Sequence, residues 1–101
     1  MYRALETKNY IDWFNKLKKK EQGQVQARIV KILNDGHFGD AKSLGDSLAE
    51  LRWRSGRRVY FTVTEDEEGN LIILLLGGNK NTQQKDINKS RSLIKSLSEE
   101  N

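Results

Sequence analysis

The spacing of apolar residues changes period twice along this chain, and the order of those changes limits what it can fold into. Between Tyr10 and Leu33 the spacing is helical. Tyr10, Trp13, Phe14 and Leu17 share one face with Ile11 at its margin, and Val25, Ile29, Ile32 and Leu33 recur at i, i+4, i+7 and i+8. From Glu50 to Thr64 the period is two. Leu51 and Trp53 alternate with Glu50, Arg52 and Arg54, and Val59, Phe61 and Val63 alternate with Arg58, Tyr60, Thr62 and Thr64. Leu71 to Leu76 is apolar on both faces, as a strand with neighbours on both sides should be. Helical spacing then returns through Ile87, Ser90, Leu93, Ile94 and Leu97. Two helices, several short strands and a closing helix predict an α+β fold: a small antiparallel sheet with two N-terminal helices and a C-terminal helix.

Capping and turn residues set the expected boundaries. Residues 2–6 form a short strand, and Thr7 or Asn9 caps the helix that follows. Lys16, Lys18, Lys19 and Lys20 end that helix, where cations suit its dipole. Gln22-Gly23 reads as a tight turn or a frayed start. The second helix runs to about Asn34 and is stopped by Asp35-Gly36. His37 to Gly45 is a loop with a short strand around Lys42 to Leu44. Ser55-Gly56 makes a hairpin turn, Gly69-Asn70 closes the next, and Gly77-Gly78-Asn79 breaks the apolar strand. Thr82 caps a helix from about Gln83 to Leu97, with Ser98 to Asn101 fraying.

With 101 residues, the chain fits one domain spanning residues 1–101. It has no cysteine and a single His37, which excludes disulfides, thiolate chemistry and a multi-histidine metal site. No metal or cofactor is expected. The longest apolar run is too short for a membrane span, and Met1 to Glu6 lacks the apolar stretch of a signal peptide, so a cytoplasmic protein is expected. The net charge is +4, which favours polyanionic partners. The cations gather in residues 16–31, and again as Arg52, Arg54, Arg57 and Arg58 beside Glu50, whereas acids gather in Glu65-Asp66-Glu67-Glu68.

The hairpin permits a geometric inference. Leu51, Trp53, Val59 and Phe61 must share the core face, which sets the pairing parity. The matching register places Arg54 opposite Arg58, Arg52 opposite Tyr60 and Glu50 opposite Thr62. Glu50, Arg52, Arg54, Arg58 and Tyr60 then share the outward face, and the return of Leu71 to Leu76 brings Lys80 to the same end of the sheet. Like charges on adjacent strands repel, so an anionic ligand accounts for the cluster; a merely solubilising surface is the alternative. His37 sits in a Gly-Asp loop and reads as a loop-positioning residue. Trp13 and Trp53 read as core. Gly77-Gly78-Asn79-Lys80 lacks the spacing of a phosphate loop. Lys16 and Lys19, with Arg54 and Arg57, are candidates for contact with a nucleic-acid backbone.

In order along the chain, Glu50-Leu51-Arg52, Gly56, Arg58-Val59-Tyr60-Phe61, Leu74 to Lys80, Gln83 and Asp86-Ile87 resemble the "addiction module killer proteins", HigB-like members of the RelE/ParE toxin superfamily. Gly36 to Asp40 resembles that family's G-x-F-G-D segment. The resemblance covers roughly residues 8–95. Ser55-Gly56-Arg57-Arg58 departs from the family's Gly-Pro-Gly-Tyr before the arginine. The resemblance implies the toxin of a type II toxin–antitoxin system: a ribosome-dependent mRNA endoribonuclease that inhibits translation. Its partners would be mRNA, the ribosome and a cognate helix-turn-helix antitoxin, with operator DNA bound only through the antitoxin complex. Two other readings stay open on this fold: a ParE-like inhibitor of DNA gyrase, and a non-toxic nucleic-acid or partner-binding module.

RNA cleavage without a metal uses the 2′-hydroxyl as nucleophile. It needs a proton acceptor, cations for the charge building on phosphate, and a donor for the leaving 5′-oxygen. Arg52 and Arg58 suit the phosphate. Lys80 can stabilise the same charge or act as acid, Tyr60 can stack on a base or exchange a proton, and Glu50 is the acidic base candidate.

Overall fold

The computed structural model describes residues 2–99. In chain order the elements are β1 (Tyr2–Glu6), α1 (Lys8–Asn15), α2 (Lys19–Asp35), β2 (Ala41–Gly45), β3 (Leu48–Arg52), β4 (Arg57–Asp66), β5 (Gly69–Asn79) and α3 (Gln83–Glu99). The strands make one five-stranded sheet in the order β1-β5-β4-β3-β2. The α+β class and the helix–sheet–helix layout are as read from the sequence. The sheet is mixed, however, rather than antiparallel throughout. β2 to β5 pair antiparallel in succession, but β1 lies parallel to β5, Tyr2 opposite Asn70 through Glu6 opposite Leu74. Parallel neighbours need a long crossover, and the whole segment from α1 to β4 separates these two strands.

Local chemistry explains the helix ends. The Thr7 side chain accepts from the Tyr10 backbone N–H at 3.1 Å, which caps α1. The turn between the helices falls at Lys16–Lys18, not at Gln22-Gly23. The Glu21 carboxylate accepts from the Lys18 N–H at 3.0 Å, and the Gln22 side chain donates to the Phe14 carbonyl. These two bonds start α2 four residues before Gly23, which is carried inside the helix. The basic run is therefore split between the end of α1 and the start of α2. Gly36 ends α2 in the left-handed conformation, φ +70°. α3 continues as helix through Ser98 and Glu99, beyond the expected fraying point; Glu100 and Asn101 lie outside the described residues.

Both faces of the sheet are covered. Leu51, Val59, Phe61, Ile72 and Leu74 pack with Tyr10, Val25, Ile29 and Ile32 of α1 and α2. On the other face Leu48, Tyr60, Ile73 and Leu75 pack with Ile87, Leu93, Ile94 and Leu97 of α3. Each fully buried large aliphatic side chain stabilises the fold by about 1.5–3 kcal/mol. The expected outward face of β3 and β4 is thus largely a second interior. Its long run of alternating polar residues had suggested solvent, but α3 closes over it.

Gly77 and Gly78 do not break β5, which runs on to Asn79. They let two helices approach it. A Cβ on Gly77 would stand 2.1 Å from the Trp13 indole on one face, and a Cβ on Gly78 would stand 1.9 Å from the Asp86 carboxylate on the other. Within the described residues, no helix is long and apolar enough to cross a membrane.

Candidate functional site

The β3–β4 hairpin keeps the expected parity but shifts its register by two residues. Ala49 lies opposite Phe61, Glu50 opposite Tyr60, Leu51 opposite Val59 and Arg52 opposite Arg58. The turn is wider than Ser55-Gly56 alone. The Trp53 N–H donates to the Arg57 carbonyl at 3.1 Å and the Gly56 N–H to the Trp53 carbonyl at 3.0 Å, with Gly56 at φ +102°. Because the core face is unchanged, Leu51 and Val59 still point at α1 and α2. The slip of two moves each arginine to a new cross-strand partner without moving it to the other face.

Arg58 is the centre of the cluster under α3. Its side chain is 15 % exposed. Nη1 donates to the carbonyls of Arg57 at 3.0 Å and Trp53 at 3.4 Å, and Nε stands 3.9 Å from a Glu50 carboxylate oxygen. Glu50 is 1 % exposed and accepts from the Gln83 amide at 2.9 and 3.2 Å. Tyr60 is fully buried beside them with its hydroxyl unpartnered. Burial pushes that hydroxyl's pKa up, and the Glu50 and Asp86 charges push it further. Both positions correct the sequence expectation: neither Glu50 nor Tyr60 stands on an open face, because α3 lies across them.

The remaining candidates are distributed around the end of the sheet. Arg52 forks onto Asp40, Nη2 at 3.0 Å and Nε at 3.2 Å, and stays about one-third exposed. Lys80 is exposed, and its N–H donates to the Gly56 carbonyl at 2.8 Å while its aliphatic stem lies over Gly56. Lys80 therefore joins the hairpin turn, as expected. Arg54 is exposed in the turn. Arg57 faces the opposite way from Arg58. It pairs with Glu21 and Gln24 of α2, both at 3.1 Å, and lies 5.8 Å from the Trp53 ring centroid. A cleft of about 220 Å³ between the α1–α2 junction and the hairpin is lined by Trp13, Leu17, Glu21, Ser55, Arg57, Gly78 and Asn79. Lys16 and Lys19 are both exposed. They lie on the α1–α2 side of the sheet, apart from the cluster under α3.

Sequence reasoning missed two residues. Arg28, on α2, donates to the carbonyls of Arg52, Phe38 and Asp40 at 2.7, 2.8 and 3.1 Å, and its guanidinium lies 4.4 Å from the Trp53 ring centroid. It ties the Gly36–Asp40 loop to the end of β3. Burial lowers its pKa against the opposing Asp40 charge. An arginine three residues after Val25 and one before Ile29 was the available signal, since that position borders the buried stripe. Gln83 stood in the family pattern but had no assigned contact. His37 is exposed in the loop that Arg28 secures. Among the described residues, no group of three or more His, Asp or Glu side chains could hold a metal ion.

Comparison with known proteins agrees with this architecture. The model of the Gp49-like family of phage-derived proteins matches residues 12–95. A protein of Haemophilus influenzae is 42 % identical over 94 residues, covering 90 % of this chain and 91 % of its own. Among solved structures, the toxin–antitoxin complex RelBE of E. coli matches with a TM-score of 0.65 at 18 % identity, over 78 % of this chain and 96 % of that one. The RelBE2 complex of Mycobacterium tuberculosis matches with a TM-score of 0.61 at 17 % identity, over 77 % and 96 %. At those identities the likeness is one of fold. The chain belongs to the Gp49-like family of phage-derived proteins, and its fold is that of the RelE toxins.

Proposed function

We propose that this protein is the toxin of a toxin–antitoxin pair and that it cleaves mRNA held on the ribosome. The observation that carries this reading is Arg58, gripped along one edge beneath α3 on a RelE-type fold. Its Nη2 has no intramolecular partner among the described residues, which leaves a fixed cationic edge for a phosphate. Arg52 and Lys80 supply further positive charge at the same end of the sheet. In this mechanism the 2′-oxygen of the RNA gives up its proton to solvent water and attacks the adjacent phosphorus, and the P–O5′ bond breaks to leave a 2′,3′-cyclic phosphate. Arg58 and Arg52 stabilise the charge that builds on the phosphate oxygens, and Lys80 donates a proton to the leaving 5′-oxygen. Arg54 supplies weaker backbone attraction beside it, and Arg57, Lys16 and Lys19 do so from the α1–α2 side of the sheet.

Glu50 and Tyr60, both closed over by α3, take no direct part in these steps. With His37 off in a surface loop, none of Arg52, Arg58 and Lys80 is paired with a strong base that could take the 2′-hydroxyl proton. Alignment of the 2′-hydroxyl by the ribosome is then the main source of rate, an effect that can be large. The partner in the cell is an antitoxin that covers the cationic end of the sheet.

Replacing Arg58 with Ala tests this reading. The expected outcome is that induced wild-type protein arrests growth in a bacterium without the antitoxin, that Arg58→Ala does not, and that the variant's circular dichroism matches the wild type. A folded Arg58→Ala that arrests growth as the wild type does contradicts it.

A further inference from the structure

We infer that Glu50 and Gln83 are positioning residues for Arg58, and that Glu50 is not a proton acceptor in the reaction. This inference rests on the cleavage reading above and names what holds its central residue in place. Glu50 is 1 % exposed, which keeps its carboxylate away from any 2′-hydroxyl presented at the surface. A buried carboxylate is costly unless it is paired and hydrogen-bonded. Here Gln83 donates to both of its oxygens, and the Arg58 Nε stands 3.9 Å away. That Nε is itself buried and has no hydrogen-bond partner within reach. The Glu50 charge is what holds it there.

The geometry gives each residue a separate task. Glu50 and Arg58 lie on neighbouring antiparallel strands two pairs apart, Glu50 opposite Tyr60 and Arg58 opposite Arg52, with the Leu51–Val59 pair between. Their side chains share the face under α3. Gln83 is the first residue of α3, so its amide links the helix start to the strand carboxylate. Two carbonyls fix Nη1 and the carboxylate attracts Nε, so the planar guanidinium has little freedom to rotate. The edge left over is presented in one orientation. A guanidinium fixed in this way loses less rotamer entropy when it meets a phosphate. Gln83 prevents the carboxylate from swinging away, since its amide satisfies both oxygens at once.

The test compares Glu50→Gln, Glu50→Ala and Gln83→Ala in cleavage of mRNA on translating ribosomes, with kcat and KM separated. Thermal unfolding and the Arg58 Nε–H resonance are recorded on the free protein. The inference predicts that Glu50→Gln, which keeps the shape but removes the charge that holds Arg58, falls as far as Glu50→Ala and broadens the Arg58 Nε–H resonance. Glu50→Ala loses on the order of a hundredfold in kcat with little change in KM, and Gln83→Ala falls between wild type and the Glu50 variants. In both alanine variants the Arg58 Nε–H resonance broadens while the protein remains folded. The inference is overturned if the Glu50 variants lose rate while the Arg58 Nε–H resonance stays sharp and Gln83→Ala keeps the wild-type rate, which is the behaviour of a general base. Wild-type rate in a folded Glu50→Ala also overturns it. If wild-type protein leaves mRNA intact but the resonance still broadens in Glu50→Ala, the cleavage reading fails and the restraint on Arg58 stands.

Discussion

At the scale of single residues, the glycine pair in β5 shows how little room the site leaves. Gly77 carries the Trp13 ring against its Cα, and Gly78 carries Asp86, whose carboxylate also accepts from the Thr82 hydroxyl at 2.5 Å. Adding one methyl at Gly77 forces either α1 or β5 to move. Overpacking of this kind costs about 1–3 kcal/mol. Gly77→Ala should therefore lower the midpoint of denaturant unfolding by an amount in that range; an unchanged midpoint would show that Trp13 can turn aside. The purpose of these glycines was not legible in the sequence. A Gly-Gly pair reads locally as a break, and only the two helices packed on opposite faces show that it permits close approach. Trp53, by contrast, was read correctly as a packing residue. What the sequence concealed is that it packs under guanidinium groups.

At the scale of elements, the hairpin shows where pattern reading succeeds and stops. Alternation assigned Leu51 and Val59 to one face and Arg52 and Arg58 to the other. It could not set the register, because shifts of two residues leave every face unchanged. The wide turn from Trp53 to Arg57 made that choice. Likewise Gly36 was legible as a helix stop, but Gly23 was misleading. The Glu21–Lys18 capping bond and the Gln22 bond to the Phe14 carbonyl outweigh the modest cost of glycine within a helix. The parallel pairing of β1 with β5 involves residues about 68 apart in sequence, beyond the reach of any local signal.

Two predictions belong at this scale. Arg28 serves three carbonyls from one planar fork, which a lysine ammonium cannot reproduce. Arg28→Lys should cost about 2 kcal/mol and speed amide exchange in residues 37–40; unchanged exchange there would contradict the clamp. The second concerns acid. The bond from the Lys18 N–H, then Arg57, holds the Glu21 carboxyl below its ordinary value of 4.5. A group whose folded pKa is lowered contributes its full stability above that ordinary value and loses it as pH falls through the folded one. Glu21→Gln should thus be less stable than wild type at neutral pH, and the difference should shrink as pH drops below 4.5. A gap that stays constant with pH would mean that Glu21 acts by packing alone.

At the scale of the whole molecule, charge and shape assign different tasks to the two faces of the sheet. The α1–α2 face buries the larger apolar cluster and ties the Arg57 side of the hairpin to α2. The α3 face buries an apolar cluster at one end and the Glu50, Arg58 and Gln83 group at the other. Arg52, Arg54, Arg58 and Lys80 therefore sit at one end of the sheet, where the hairpin turn and the start of α3 meet. That convergence was legible from parity and from the return of β5. The lid over Glu50 and Tyr60 was not, since α3 carries polar Gln83, Asp86 and Ser90 on the side that faces them and its cover over polar strand residues leaves no hydrophobic signature.

The most direct measurement is to induce the protein in a bacterium lacking the antitoxin and map mRNA 5′ ends genome-wide during active translation. The account predicts growth arrest with new 5′ ends clustered within translated frames, absent when Arg58→Ala is induced instead. Growth arrest with intact mRNA would contradict it, and would point to a target such as DNA gyrase, with the Arg52, Arg58 and Lys80 end of the sheet serving as a binding surface.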